Sequence, residues 1–202
     1  YLIMDLGNYS WLTFIDDFLN PQECDSISKY ILDNEYMVKS LGPDIYPKTS
    51  DDSLTGRYSI FNYLYHPPGK ILIPKLKNIF GDCLVQCWAN IFRVGEGIEE
   101  HFHSTRPNNE SKFLVANLFL SGPEDIGTTY NGCNIKNKRG TLSIFMSDYW
   151  HSVPKNTTFQ SRISMAFNIY EKNQFLNTPV SDRYATIDEM LKYHPKRYYM
   201  IS

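Results

Sequence analysis

Apolar and polar residues follow a helical pattern near the beginning of the chain. Asn20, Pro21 and Glu23 have the residue types of a helix N-cap, a first helical position and the third position of a capping box. Side chains that suit one buried helix face then recur at Cys24, Ile27, Tyr30 and Ile31. The pattern therefore predicts a helix that begins after Asn20, with a strand in residues 9–19 before it.

The next part of the chain alternates between turn-forming and apolar segments. Residues 40–56 are rich in Gly, Pro, Asp, Ser and Thr, which predicts a long loop of the kind that often covers a functional site. The aromatic segment 58–65 has the composition of a strand. The Pro-Pro-Gly sequence at 67–69 is expected to end that strand, and residues 71–80 are expected to form a second helix.

From Val85 onward the pattern changes to short strands separated by turn signals such as Asn131-Gly132. The predicted strands are 85–94, 98–103, 112–120, 127–130, 140–146 and 161–170. Regularly spaced short strands favour a barrel or jelly roll, with the helices of the N-terminal part packed outside it. We predict one domain over residues 1–202, with supporting elements in about 1–84, a core in about 85–170 and a tail at 171–202 that holds a short helix at 187–193.

Composition narrows the class of protein. The chain has 202 residues and a formal net charge of −2, so a cationic surface for nucleic acid or an anionic membrane is not expected. Its 15 Tyr, 12 Phe and 3 Trp residues favour a β-rich core. No stretch is long and apolar enough for a transmembrane helix, and the first residues lack the features of a signal peptide.

The cysteines indicate a reducing environment. Cys24, Cys83, Cys87 and Cys133 form no CxxC motif, and we interpret all four as buried free thiols. The expected location is therefore cytoplasmic.

His101 and His103 are the first candidate metal ligands. Side chains at positions i and i+2 of a strand point to the same face, so the two imidazoles can aim at one ion. Imidazole binds zinc, iron, copper and nickel, so the pair alone does not identify the metal. The alternative is two surface histidines at the rim of a strand.

A second polar group lies downstream, where His151 is followed by Arg162 and Ser164. Arg162 begins a strand-like run to Asn168 and shares a face with Ser164. A buried arginine is costly unless it is paired. A ligand carboxylate held by the arginine, with the serine hydroxyl assisting, would satisfy it, and an internal Asp or Glu is the alternative.

Taken in order along the chain, these segments resemble the iron(II)/2-oxoglutarate-dependent oxygenases, and among them the prolyl-4-hydroxylase-like superfamily. The resemblance covers most of residues 11–170. The segments that carry it are 15–24, 90–97 with 100–103, 118–120 with 127–130, 139–145 with 150–153, and 162–164.

The resemblance implies a fold, a metal and a co-substrate. The fold is a double-stranded β-helix, or jelly roll, in which His101 and His151 bind Fe(II). Arg162 would pair with the distal carboxylate of 2-oxoglutarate beside Ser164, and Asn90 is assigned to the same co-substrate site. The implied reaction consumes O2, converts 2-oxoglutarate to succinate and CO2, and hydroxylates a C–H bond of a peptide side chain, an amino acid or another small metabolite.

His103 departs from the family pattern, which has a carboxylate at this position as the third ligand of a facial triad. We expect His101, His103 and His151 to converge on one ion, which leaves iron with one more positive charge than the usual triad. Glu99 shares a face with His101 in a regular strand and could replace His103 if the strand bends, as could water. Halogenating relatives have a small residue here, so halogenation is disfavoured.

Two other functions stay open. One is a three-histidine dioxygenase that does not use 2-oxoglutarate, against which the Arg162-x-Ser164 motif argues. The other is a jelly roll that binds a metal or a ligand without turnover, which would fit if His103 has abolished oxygen activation.

Overall fold

Two antiparallel sheets and two α-helices form the part of the chain that the computed structural model describes, residues 2–3, 12–42, 53–103, 113–171 and 196–202. The helices are α1 (Pro21–Ser40) and α2 (Pro67–Phe80). The strands are β1 (Leu2–Ile3), β2 (Leu12–Ile15), β3 (Cys83–Phe92), β4 (Ile98–His101), β5 (Leu114–Ser121), β6 (Thr128–Tyr130), β7 (Cys133–Ile135), β8 (Leu142–Met146), β9 (His151–Val153), β10 (Arg162–Glu171) and β11 (Tyr199–Ile201).

The two sheets have the arrangement of a jelly roll. The larger sheet has the strand order β1-β2-β8-β5-β10-β3-β11, and the smaller has the order β4-β9-β6-β7. Every pairing between these strands is antiparallel. The predicted fold class, mainly β with flanking helices, is therefore confirmed.

Strand β10 lies at the centre of the larger sheet and has two different faces. Ile163, Met165, Phe167 and Ile169 are buried in the main hydrophobic core, to which α1 and α2 also contribute. Arg162, Ser164, Ala166 and Asn168 alternate with them and point to the space between the two sheets, as the contacts below show. One strand thus supplies apolar side chains to the core and polar side chains to the interior of the sandwich.

The first predicted helix is confirmed, including the capping box at its N-terminus. The Asn20 side chain accepts a hydrogen bond from the Glu23 amide, and the Glu23 carboxylate accepts one from the Asn20 amide, each at 2.9 Å. Pro21 occupies the first turn, where a missing N–H costs little. Cys24, Ile27 and Ile31 form the buried face.

The strand predicted at 58–65 is wrong. This segment holds two short 3-10 helices, Gly56–Tyr58 and Tyr63–Tyr65. The Thr55 and Asn62 side chains accept hydrogen bonds from backbone amides two residues ahead, and such local bonds compete with a strand ladder.

The Pro-Pro-Gly sequence begins α2 rather than preceding it. Prolines are tolerated in the first turn of a helix, so α2 starts at Pro67 instead of Ile71. Gly69 is required there because a Cβ atom would lie 2.1 Å from the Leu64 carbonyl oxygen.

The predicted β-rich half is confirmed with small changes in strand ends, and four short strands, β1, β7, β9 and β11, were not predicted. The turn predicted at Asn131-Gly132 joins β6 to β7, and both residues have positive φ, 44° and 82°.

The cysteine prediction is only partly confirmed. Cys133 is exposed, which corrects its prediction as a buried thiol, whereas the other three cysteines are buried and free.

Several predictions lie outside the described residues. These are most of the 40–56 loop and the short helix at 187–193. The division into a single domain stays a prediction. Neither described helix combines the length and the apolar character that crossing a membrane requires.

The register of β10 can be tested through Ile163, which is 3% exposed. Ile163→Ala removes packed methyl groups and should lower the free energy of unfolding by about 2–5 kcal/mol. Phe159→Ala is the control, because Phe159 is 97% exposed and surface substitutions usually change stability by less than about 0.5 kcal/mol. Urea denaturation measures both, and equal stabilities of the two variants would contradict this register.

Candidate metal centre

The pairing of β4 with β9 brings two of the predicted histidines together. His101 lies directly opposite His151, and directly opposed residues in an antiparallel pair share one face of the sheet. Their ring centroids are 4.2 Å apart. His103 lies two residues beyond His101, where its backbone amide donates to the Ser147 carbonyl at 2.8 Å. Its ring is 5.5 Å from that of His101 and 5.0 Å from that of His151, so all three predicted ligands meet.

The three imidazoles are oriented through one ring nitrogen each. His101 Nδ1 lies 2.8 Å from the Glu99 carbonyl oxygen, and His151 Nδ1 lies 3.0 Å from the Tyr149 carbonyl oxygen. A carbonyl only accepts, so these two Nδ1 atoms carry the proton and each Nε2 keeps its lone pair. His103 Nδ1 lies 2.6 Å from Asn168 Oδ1. The three side chains can each offer one ligand nitrogen, and these atoms lie within 4.8 Å of one another.

Burial keeps the histidines in the neutral form that metal binding requires. It lowers the pKa of His103 to about 4, with a smaller contribution from His101 and an opposing one from the hydrogen bond to Asn168. Burial also lowers the pKa of His101, and it lowers the pKa of His151 well below its usual value.

No carboxylate joins the convergent donors within the described part of the chain. The pairing of β4 with β9 shifts register between Ile98 and His101, an irregularity of the kind that bends a strand. The Glu99 and Glu100 side chains are nevertheless exposed, and Glu99 approaches His101 through its backbone carbonyl. The alternative in which Glu99 replaces His103 is therefore not the arrangement found.

Arg162 is buried between the sheets, with 1% of its surface exposed. Its guanidinium donates to the Ile126 carbonyl at 3.2 Å, and to three side-chain oxygens, Ser164 Oγ at 3.2 Å, Thr128 Oγ1 at 2.9 Å and Asn137 Oδ1 at 3.4 Å. All four acceptors are neutral, and burial lowers the pKa of Arg162 to about 10. The internal Asp or Glu partner considered from the sequence is absent among the described residues.

A cavity of about 160 Å³ lies between the sheets on the side of Arg162. Thr128 and Asn137 line it and also accept from the guanidinium. Tyr130 lines it too, and its hydroxyl lies 2.7 Å from Ser143 Oγ, which joins the smaller sheet to the larger one. The remaining predicted co-substrate residue, Asn90, pairs with Ser164 across β3 and β10 and so shares its face.

Some residues of the site were missed by sequence reasoning. Thr128 and Asn137 reach Arg162 from the smaller sheet and the turn after it, and no local pattern indicates that contact. Asn168 could have been found, because it has the same parity as Arg162 and Ser164 on β10.

Comparison with known proteins identifies the fold. No protein-family model and no curated protein matches the sequence. The structure is similar to the crystal structure of a prolyl-4-hydroxylase from Pseudomonas putida, at 14% sequence identity and a TM-score of 0.52, over 83% of this chain and 95% of that one. At this identity the likeness shows a shared fold.

The low pKa values of the histidines predict how the metal-free protein responds to acid. In the unfolded chain a histidine takes up a proton near pH 6.5, whereas folded His103 resists protonation to about pH 4. The unfolded state therefore binds more protons between these values, and stability should fall as the pH decreases through this range. Urea denaturation at several pH values measures the effect. His103→Gln should lose less stability on acidification than the wild type, and parallel losses would show that His103 titrates normally.

Proposed function

We propose that the protein is an Fe(II)- and 2-oxoglutarate-dependent dioxygenase that hydroxylates a C–H bond of a peptide side chain, an amino acid or another small metabolite. The observation that carries the proposal is a buried guanidinium that has no acidic partner among the described residues and lies in the same sandwich interior as three convergent imidazoles. A metal-binding cluster alone would fit many functions. The unpaired cation adds a demand for an anionic ligand beside the metal.

His101, His103 and His151 would hold the iron through their Nε2 atoms, which the hydrogen bonds at Nδ1 leave free. When bound, Fe(II) supplies the redox chemistry that couples reduction of O2 to oxidative decarboxylation of 2-oxoglutarate. The protein keeps the three ligands neutral by burial, so that no proton competes with the metal near neutral pH.

Arg162 would hold the distal carboxylate of 2-oxoglutarate. A guanidinium has five N–H donors in a fixed fork that suits a carboxylate, and here the four hydrogen bonds all go to neutral groups. A ligand carboxylate in the cavity beside Arg162 would give the guanidinium a charged hydrogen-bond acceptor in place of neutral ones. Ser164 and Asn90 lie on the same face of the larger sheet and would line the co-substrate.

The two alternative functions differ in what they require of Arg162. A three-histidine dioxygenase that does not use 2-oxoglutarate is favoured by the third histidine but gives the buried arginine no anionic partner. A binding protein without turnover would bind metal and 2-oxoglutarate but would not convert them. Anaerobic loading with Fe(II), followed by exposure to air with 2-oxoglutarate, separates the proposed enzyme from both alternatives, because only the proposed enzyme should release succinate.

The co-substrate assignment can be tested with Arg162→Ala. We expect 2-oxoglutarate binding to weaken strongly while metal binding stays nearly intact, since Arg162 does not belong to the histidine cluster. Arg162→Lys should also bind 2-oxoglutarate more weakly than the wild type, because an ammonium cannot reproduce the two parallel hydrogen bonds. Arg93→Ala is the control, because Arg93 pairs with Glu35 at the surface. Calorimetric titration with equal 2-oxoglutarate affinity in the wild type and Arg162→Ala would rule out the assignment.

The metal assignment can be tested by replacing His151 and His103 separately. His151→Ala should lose more Fe(II) affinity than His103→Ala, because the carboxylate-replacing His103 is the departure from the family pattern. His103→Asp provides the family's usual third ligand and should retain metal. Anaerobic Fe(II) titration gives the order, and full affinity in His151→Ala would contradict the site.

A further inference from the structure

We infer that Asn168 is a positioning residue that holds His103 in the tautomer able to bind a metal through Nε2. The inference rests on the proposed function, since it concerns the least typical ligand of the proposed iron site. Asn168 belongs to β10 in the larger sheet, whereas the three histidines lie in or next to the smaller sheet. The contact between His103 Nδ1 and Asn168 Oδ1, at 2.6 Å, therefore joins the two sheets at the metal site.

His103 needs a side-chain partner because it lacks the backbone contact that orients His101 and His151. His101 and His151 both contact the carbonyl of the residue two positions earlier in their own chain segment. His103 lies two residues beyond the end of β4 and makes its Nδ1 contact with a side chain from the opposite sheet. The strand geometry that positions the other two rings thus does not position this one.

A relay of amides decides which end of Asn168 faces the histidine. Gln86 Nε2 lies 3.4 Å from the Ser59 carbonyl oxygen, which can only accept, so Gln86 presents its Oε1 to Asn168. Asn168 Nδ2 donates to that oxygen at 3.1 Å. Its Oδ1 is then turned towards His103, and the proton of His103 must be on Nδ1. The direction of every bond in the relay follows from one backbone carbonyl.

The register of the larger sheet builds this relay. Asn168 and Gln86 are directly paired across β10 and β3, so their side chains share the face that looks into the sandwich. The Trp88 ring on the same strand packs 5.6 Å from the ring of His103. The imidazole is thereby held on one side by an aromatic ring and at Nδ1 by a hydrogen-bond acceptor of fixed direction.

The first experiment reads the tautomer of the metal-free protein by 15N NMR of its histidines at neutral pH. In the wild type His103 should be protonated on Nδ1. In Asn168→Leu, which keeps the size but removes the acceptor, the population of the Nε2-protonated tautomer should rise. Asn168→Asp keeps an acceptor and should keep the wild-type tautomer. Asn34→Leu is the matched control, because Asn34 is also half-buried and its amide donates to a helix carbonyl far from the site.

The second experiment titrates the same variants with Fe(II) alone under anaerobic conditions. Asn168→Leu should weaken binding roughly 10–100-fold, the usual effect of removing a partner of a metal-bound histidine. Asn168→Asp and Asn34→Leu should bind Fe(II) with an affinity close to or above that of the wild type. Combining Asn168→Leu with His103→Ala should cost little more than His103→Ala alone, since the asparagine acts through that ring.

The outcomes separate this inference from the proposed function. An unchanged His103 tautomer in Asn168→Leu, or additive losses in the double variant, would overturn the role of Asn168. Absence of Fe(II) binding by the wild type would instead overturn the proposed function, and the tautomer measurement would still decide whether Asn168 orients the ring. If Asn168→Leu does not fold, Gln86→Met replaces it, because loss of the Gln86 acceptor should release the amide and produce a smaller shift in the same direction.

Discussion

The register of β10 is the constraint on which both the fold and the site depend. The strand is paired along most of its length with β3 on one side and β5 on the other. Its odd-numbered residues fill the apolar core, and its even-numbered residues supply Arg162, Ser164 and Asn168 to the interior of the sandwich. A slip by one residue would exchange the two sets, which would bury a guanidinium among aliphatic side chains and expose Ile163 and Phe167 to the polar site. The apolar core and the polar site therefore enforce the same register.

Among the described residues, neither Arg162 nor the histidine cluster has a negatively charged partner. Arg162 contributes a buried cation, its hydrogen-bond partners are neutral, and the convergent histidines bring no charge of their own. A divalent metal would make the imbalance larger, and a ligand with two carboxylates would offset most of it. The usual triad adds a carboxylate, so this site would keep one positive charge more. With a metal bound, charge balance would thus favour a dianionic ligand more strongly here than in a site with the usual ligands.

Features of the fold and the site could be predicted from the sequence when residues close together in the chain determine them. The capping box of Asn20 and Glu23, the alternation in β10 and the i, i+2 spacing of His101 and His103 are local, and each was read correctly from the sequence. The 3-10 helices at 56–65 were misread because aromatic composition suggests strands, whereas the caps at Thr55 and Asn62 decide the backbone. The bonds from Arg162 to Thr128 and Asn137 join segments that meet only after the sheets pack, so no periodicity could reveal them.

In the proposed iron site, a histidine at the position where the family has a carboxylate needs a relay of defined polarity. A carboxylate can bind a metal through either oxygen, whereas a neutral imidazole binds only through the nitrogen that lacks a proton. A histidine at this position therefore requires an acceptor at Nδ1, and Asn168 provides it. In His103→Asp that acceptor would face a carboxylate. To donate instead, Asn168 would have to turn its amide, which would set its Oδ1 against Gln86 Oε1 and force Gln86 to give up the Ser59 carbonyl. The amides of Gln86 and Asn168 are thus matched to a hydrogen-bond donor at residue 103, so the larger sheet is adapted to a histidine as the third ligand of the proposed site.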